Sequence, residues 1–183
     1  HAVKLLRDEK PTPIWINKTM RYGPKACPVK ADGMCFHPAK EWLIQQGCHP
    51  EKGECVELYS SKDYGESRQL WGVGGLLVHE FSHAYHHKGC KDGYENKEIK
   101  DCYRQAMKEG LYDKVRVKGN QGPTAKAYAC TNQMEYFAEL SAAFLGGTGN
   151  EEYNKWYPFN RQQLREHDPR AYDLLRRIWK VEE

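Results

Sequence analysis

The five residues His79-Glu80-Phe81-Ser82-His83 constrain this chain more than any other stretch. Their spacing is H-E-x-x-H, and the apolar, uncharged run Gly72-Val73-Gly74-Gly75-Leu76-Leu77-Val78 leads straight into them. The run predicts a buried helix from about Val73 to His87, stopped at Gly89. Helical positions four apart share a face, one turn apart, so the imidazoles of His79 and His83 can reach one point together. Glu80 is turned about 100° from His79 and borders that face. Buried histidine and glutamate need partners, because an unpaired buried polar group is costly. Two neutral imidazoles suit zinc, which at catalytic sites takes three protein ligands and keeps one position open for water. Such a zinc lowers the pKa of its water from about 15.7 to roughly 7, and Glu80 stands where a general base would take that proton. The bland alternative is a pair of satisfied histidines, since the chain has eight and two at spacing four are weak evidence alone.

A third ligand is then needed, and a second helix offers it. In Tyr128-Ala129-Cys130-Thr131-Asn132-Gln133-Met134-Glu135-Tyr136-Phe137-Ala138-Glu139, Thr131 or Asn132 reads as the cap. Phe137, Leu140 and Phe144 recur at helical spacing, and Gly146-Gly147 ends the element. Glu135 and Glu139 lie four apart on one face, where like charges repel unless something positive sits nearby. A zinc ion with its histidines would be that group, with Glu135 on the metal and Glu139 accepting the other ring N–H of a ligand histidine. Two solvated surface glutamates are the alternative. The extended pattern H-E-x-x-H-x-x-G-x-x-H fails here, because His86 stands at the glycine position and Gly89 at the last histidine position.

His79-Glu80-x-x-His83, followed some fifty residues on by Tyr128-x₆-Glu135-Tyr-Phe-Ala-Glu139, resembles the catalytic domain of anthrax lethal factor and the related secreted Pro-Pro endopeptidases. The resemblance covers about Trp71 to Leu145. It implies His79, His83 and Glu135 as zinc ligands, Glu80 as general base and Glu139 behind the ligands. It also implies Tyr128 as the hydroxyl that steadies the oxyanion. The stretch from Tyr157 to Trp179 resembles the C-terminal end of secreted relatives of the same group. The cysteines depart from the better-known members, which leaves the shape of the cleft open.

Elsewhere the chain is punctuated simply. Residues 13–17 and 55–60 read as strands, the second an edge that could take an extended peptide, and 21–37, with Gly, Pro and two cysteines, as a loop closed by a disulfide. Residues 39–46 read as a short helix with Trp42 and Leu43 inward, and 95–109 as an amphipathic one. Asn160 and Asp168 read as helix caps, the latter before Pro169. Tyr172, Leu175, Ile178 and Trp179 form a core stripe, and 112–127 a surface loop. His86 and His87 read as a solvated helix end, and residues 1–12 as frayed apart from the short run Ala2 to Leu6. Seven cysteines suggest an oxidising, extracellular setting, with local pairs Cys27–Cys35, Cys48–Cys55 and Cys90–Cys102 and Cys130 left over. A net charge of +3 without an aromatic-laced basic cluster gives no support to nucleic-acid binding. No apolar run approaches the roughly 20 residues of a membrane span.

The expectation is one α+β, zincin-like metallopeptidase domain over 1–183. A small N-terminal β-sheet packs on the H-E-x-x-H helix, and the C-terminal half is mainly helical. The expected activity is that of a secreted, monomeric, gluzincin-like zinc endopeptidase acting on a peptide or protein. The alternatives are a catalytically silent zinc-binding module of the same fold and a non-peptidase zinc amidohydrolase.

Overall fold

The computed structural model describes residues 1–18, 33–61, 64, 70–118, 124–146 and 151–182. It is a mixed α+β structure. Three short strands, β1 (Ile14–Ile16), β2 (Met34–Phe36) and β3 (Val56–Leu58), form a sheet in the order β1-β3-β2. β1 runs parallel to β3, pairing Ile14 with Val56, and β2 runs antiparallel to it, pairing Phe36 with Val56. The strand expected over 55–60 is therefore the central one. It is paired on both sides and buried at all three positions, so it has no free edge. The edge nearest the histidines is β2.

Among the described residues the α-helices include α1 (Ala2–Lys4), α2 (Glu41–Gln45), α3 (Gly75–Gly89), α4 (Lys97–Lys108), α5 (Gln133–Gly146), α6 (Arg161–His167) and α7 (Pro169–Trp179). α3 is the H-E-x-x-H helix and lies between two layers. On one side Met34, Phe36, Val56 and Leu58 of the sheet pack against it through Ala84, Leu76, Leu77 and Phe81. On the other, Tyr85 joins a larger core with Ile99, Phe137, Leu140, Phe144, Leu164 and Leu175 from α4 to α7. Fully burying each such apolar side chain stabilises by about 1.5–3 kcal/mol, so the helix is clamped from both sides.

Caps follow the sequence. Asn132 Oδ1 accepts from the N–H groups of Met134 and Glu135, both at 2.9 Å, and fixes the start of α5. Asn160 accepts from Gln163 N–H at 3.0 Å, and Asp168 from Ala171 N–H at 3.2 Å. Asp168, fully buried, also accepts from the hydroxyls of Tyr112 and Tyr136, so the cap ties α7 into the core. Trp179 stacks on Tyr85 with ring centroids 4.4 Å apart.

The start of α3 is held by Tyr153. Its hydroxyl donates to Val73 C=O at 2.7 Å, and its own carbonyl accepts from Gly72 N–H at 2.7 Å. The ring occupies space that side chains would fill. A Cβ on Gly146 would fall 1.8 Å from it, and one on Gly72 2.3 Å. Gly74, at φ 76°, enters the helix from the left-handed region.

Beneath the sheet, Glu57 is 1 % exposed and accepts from Lys52 Nζ at 2.6 Å and Asn17 Nδ2 at 2.6 Å. His37 Nε2 lies 2.7 Å from its other oxygen. Lys52 is fully buried, so each charge is compensated by the other.

Several expectations are corrected. Cys35, Cys55, Cys90, Cys102 and Cys130 carry free thiols, so the three expected pairs do not form. Cys48 is in a disulfide, while Cys27 lies outside the described residues, as do 119–123 of the expected surface loop and Gly147. Local spacing alone does not decide which thiols meet. Trp42 is 47 % exposed and stacks on His37, leaving Leu43 as the inward residue of α2. Beyond the Ala2–Leu6 run, the N-terminal segment is not frayed: the backbone from Leu5 to Glu9 is π-helical, Lys10 Nζ donates to Lys88 C=O, and Thr12 is buried with its N–H on Leu6 C=O. In the expected surface loop, Tyr112 and Val115 are buried. His86 is fully buried between Tyr94 and Phe137 rather than solvated. No helix among the described residues is long and apolar enough to cross a membrane.

Candidate metal centre

α3 and α5 pack side by side and bring three side chains to one point. His79 Nε2 and His83 Nε2 are 3.1 Å apart, and each lies 3.2 Å from Glu135 Oε2. His79 and His83 are buried and Glu135 nearly so. This is a group that could hold a metal ion, and the ligand atoms fit one. Bonds of about 2.05 Å in a tetrahedral arrangement put ligand atoms about 3.3 Å apart, close to the three separations seen here. The i, i+4 spacing on α3 supplies two corners, and the Asn132 cap sets where the first turn of α5 delivers the third.

The flanking groups complete the arrangement. Glu139, 1 % exposed, brings Oε1 to 3.5 Å from His79 Nδ1. Neither that nitrogen nor Glu139 Oε2 makes a hydrogen bond within the described residues. A carboxylate behind the ring suits the tautomer with Nε2 free for a metal. Tyr128 O–H donates to Glu135 Oε1 at 3.3 Å, and Tyr128 is 48 % exposed. Glu80 is buried, and its Oε2 accepts from Phe36 N–H at 2.8 Å. His37 N–H and Gly33 C=O bond to the β3 side, so by alternation Phe36 presents its N–H on the free edge, where Glu80 takes it.

The electrostatics of the side chains alone are strongly perturbed. Burial would lower the His79 pKa, but the hydrogen bond to Glu135 and the charges of Glu80 and Glu139 outweigh it and raise it to about 9. Burial would raise Glu135, yet the hydrogen bonds from His79 and His83 hold its carboxyl well below the usual range. Burial raises Glu80, with His79 and His83 opposing, and raises Glu139 to about 7. Burial and the charge of Glu135 push Tyr128 up to about 12. Three carboxylates around two imidazoles is a cation-seeking set.

A cavity of about 840 Å³ opens over these groups. Its walls include β2, Trp71, Tyr94, Lys155 and Trp156. Sequence reasoning missed β2, Trp71, Tyr94 and the whole 151–156 segment as site elements. Trp71 packs edge-on against His79 at 5.5 Å between centroids. Asn154, 1 % exposed, contacts Glu139 and donates to the carbonyls of Trp156 and Pro158. The aromatic density of Tyr153-Asn154-Lys155-Trp156-Tyr157 is the signal that marks this segment as packed rather than linking. Comparisons with protein-family models, with curated proteins and with solved structures find no match to this chain.

Proposed function

We propose that the protein is a zinc endopeptidase of zincin-like build, related in its site to the lethal factor and Pro-Pro endopeptidase group. One observation carries this reading. Two imidazole nitrogens and a carboxylate oxygen converge at metal-ligand separations, and a buried glutamate adjoins them in the same cavity. Two imidazoles with one carboxylate favour zinc over the oxygen-loving alkaline-earth ions. Zinc held by His79, His83 and Glu135 would supply Lewis acidity and a more acidic water.

The chain's own groups would do the rest. Glu80 Oε2 is occupied by Phe36 N–H, leaving Oε1 to take the proton of the attacking water and pass it to the leaving amine. Tyr128 O–H, released from Glu135, would donate to the oxygen that develops negative charge. Glu139 would hold His79 through Nδ1–H. Beyond the Phe36 N–H that Glu80 takes, the β2 edge beside the cavity still presents the backbone of Met34, and this supports a peptide over a small amide, because extended chains pair with such edges. Extracellular placement rests on the resemblance and on the disulfide at Cys48, the other described cysteines being free thiols.

Metal analysis of wild type and Glu80→Gln, with both assayed on a peptide library read by mass spectrometry, tests this. The reading expects about one zinc in each and cleavage by wild type only, since a Glu80 amide cannot act as base. Zinc in both with no peptide cut by wild type would overturn it. It would favour the silent zinc-binding module, or, if small amides are cleaved, the amidohydrolase.

A further inference from the structure

The cavity over the metal centre carries a cation that the chemistry above does not use. Lys155 is partly buried and lines the cavity that holds His79, Glu80 and Glu135. Its Nζ stands 5.5 Å from the centroid of the Trp156 ring, a cation–π contact that restrains the side chain. The backbone is restrained as well, since Lys155 C=O accepts from Lys118 N–H at 2.9 Å and Val117 bridges to Trp156.

The ammonium has no ion pair among the described residues: Glu139 feels its charge but lies beyond salt-bridge distance. Glu139 is turned instead towards His79 and Asn154. A restrained ammonium in the lining of this cavity retains its capacity to donate to an anion. Apart from the carboxylates of the metal centre, the lining includes Leu70, Leu76 and aromatic faces, surfaces that receive side chains but do not discriminate charge.

We propose that Lys155 is a specificity-determining residue that selects substrates bearing a carboxylate close to the scissile bond. The proposal rests on the endopeptidase reading and deepens it. The carboxylate belongs to an Asp or Glu side chain or to the substrate's own C-terminus, and both present the same acceptor to Lys155. Lys155 lines the same cavity as the metal centre, and its charge is felt by Glu139 behind His79. A hydrogen bond to a charged group is worth on the order of tenfold in selection. Charge reversal at the same position turns that attraction into repulsion.

The test uses two readouts on zinc-loaded protein. The first is kcat/KM over peptides carrying Glu, Gln or Lys at each position flanking the cut, with free or amidated C-termini. The second is equilibrium binding of the same fluorescent peptides to the Glu80→Gln variant, which needs no turnover. Wild type is expected to favour the carboxylate at one flanking position by about tenfold. Lys155→Ala should flatten that preference, and Lys155→Glu should invert it towards Lys. Lys155→Arg should retain it, which separates a lost charge from a damaged fold. Preference for Glu over Gln in amidated peptides identifies a side-chain carboxylate; loss on amidation identifies the C-terminus. If Lys155→Glu cleaves with the wild-type profile, the assignment to Lys155 is wrong while the endopeptidase reading stands. If wild type cuts no peptide and Glu80→Gln binds none, both fall.

Discussion

Gly146→Ala is expected to destabilise the protein through a clash that no small adjustment relieves. The new methyl carbon would sit 1.8 Å from Tyr153 Cε1 and 2.0 Å from Cδ1, about half a van der Waals contact. The ring cannot retreat easily, because Gly72 and Gly75 close around it and its hydroxyl is anchored on Val73 C=O. Overpacking costs about 1–3 kcal/mol. Expelling the ring would also lose the hydroxyl's hydrogen bond to Val73, worth about 1 kcal/mol. Alanine's better helix propensity offsets up to about 1 kcal/mol. The net expectation is a loss of about 1–3 kcal/mol, a fall in Tm on the order of 3–10 °C for a chain of this size. Denaturant unfolding at unchanged m-value measures it. In a Tyr153→Ala background the same Gly146→Ala change should cost almost nothing, and this cycle isolates the contact. An equal cost in both backgrounds would refute the reasoning. Because Tyr153 holds the first turn of α3, zinc affinity should fall along with stability.

Glu57→Gln should cost about 3–5 kcal/mol in denaturant unfolding, because it leaves the buried Lys52 ammonium without its carboxylate. Glu139→Gln should weaken zinc binding by about 10–100-fold in a competitive chelator titration while leaving the fold intact. His86 has no hydrogen bond at either ring nitrogen within the described residues, and burial lowers its pKa from 6.5 to about 3. The unfolded chain therefore gains a proton below pH 6.5 that the folded one refuses, so stability falls as pH drops through that window, by about 1.4 kcal/mol per pH unit from this group. The difference between wild type and His86→Leu in pH-dependent unfolding should carry that slope, and parallel profiles would contradict it. Alkylation of the unfolded, unreduced chain should label Cys35, Cys55, Cys90, Cys102 and Cys130. Mass spectrometry showing protected Cys90 or Cys102 would restore the sequence-based pairing.

The candidate metal ligands were legible because one helix periodicity determines them. His79 and His83 need only an i, i+4 face, and Glu135 and Glu139 repeat the same geometry on α5 beside a readable Asn132 cap. Core stripes such as Tyr172 and Leu175 followed for the same reason. Long-range encounters escaped. The partner of Glu80 is a backbone N–H 44 residues away, and a backbone donor leaves no mark in composition. Which strand is central was equally hidden, since both 13–17 and 55–60 read as strands while the edge beside the helix comes from Met34–Phe36, inside what reads as a cysteine-bearing loop. His86 misled because helix-end histidines usually meet water, and here tertiary packing of Tyr94 and Phe137 overrides position. Thiol pairing failed for a related reason, as sequence proximity says little about which sulfurs face each other.

The bond between Glu80 and Phe36 has a mechanical consequence. A short sheet edge with an outward donor invites pairing with other chains, and here the helix covers that donor with a carboxylate. Edge protection and the positioning of Glu80 are thus one contact. A displacement of β2 by an incoming strand is transmitted directly to the carboxylate, and a truncation such as Glu80→Ala would uncover the edge as well as remove the acid. The amide of Glu80→Gln can still accept from Phe36, so only the isosteric change separates self-association from loss of chemistry.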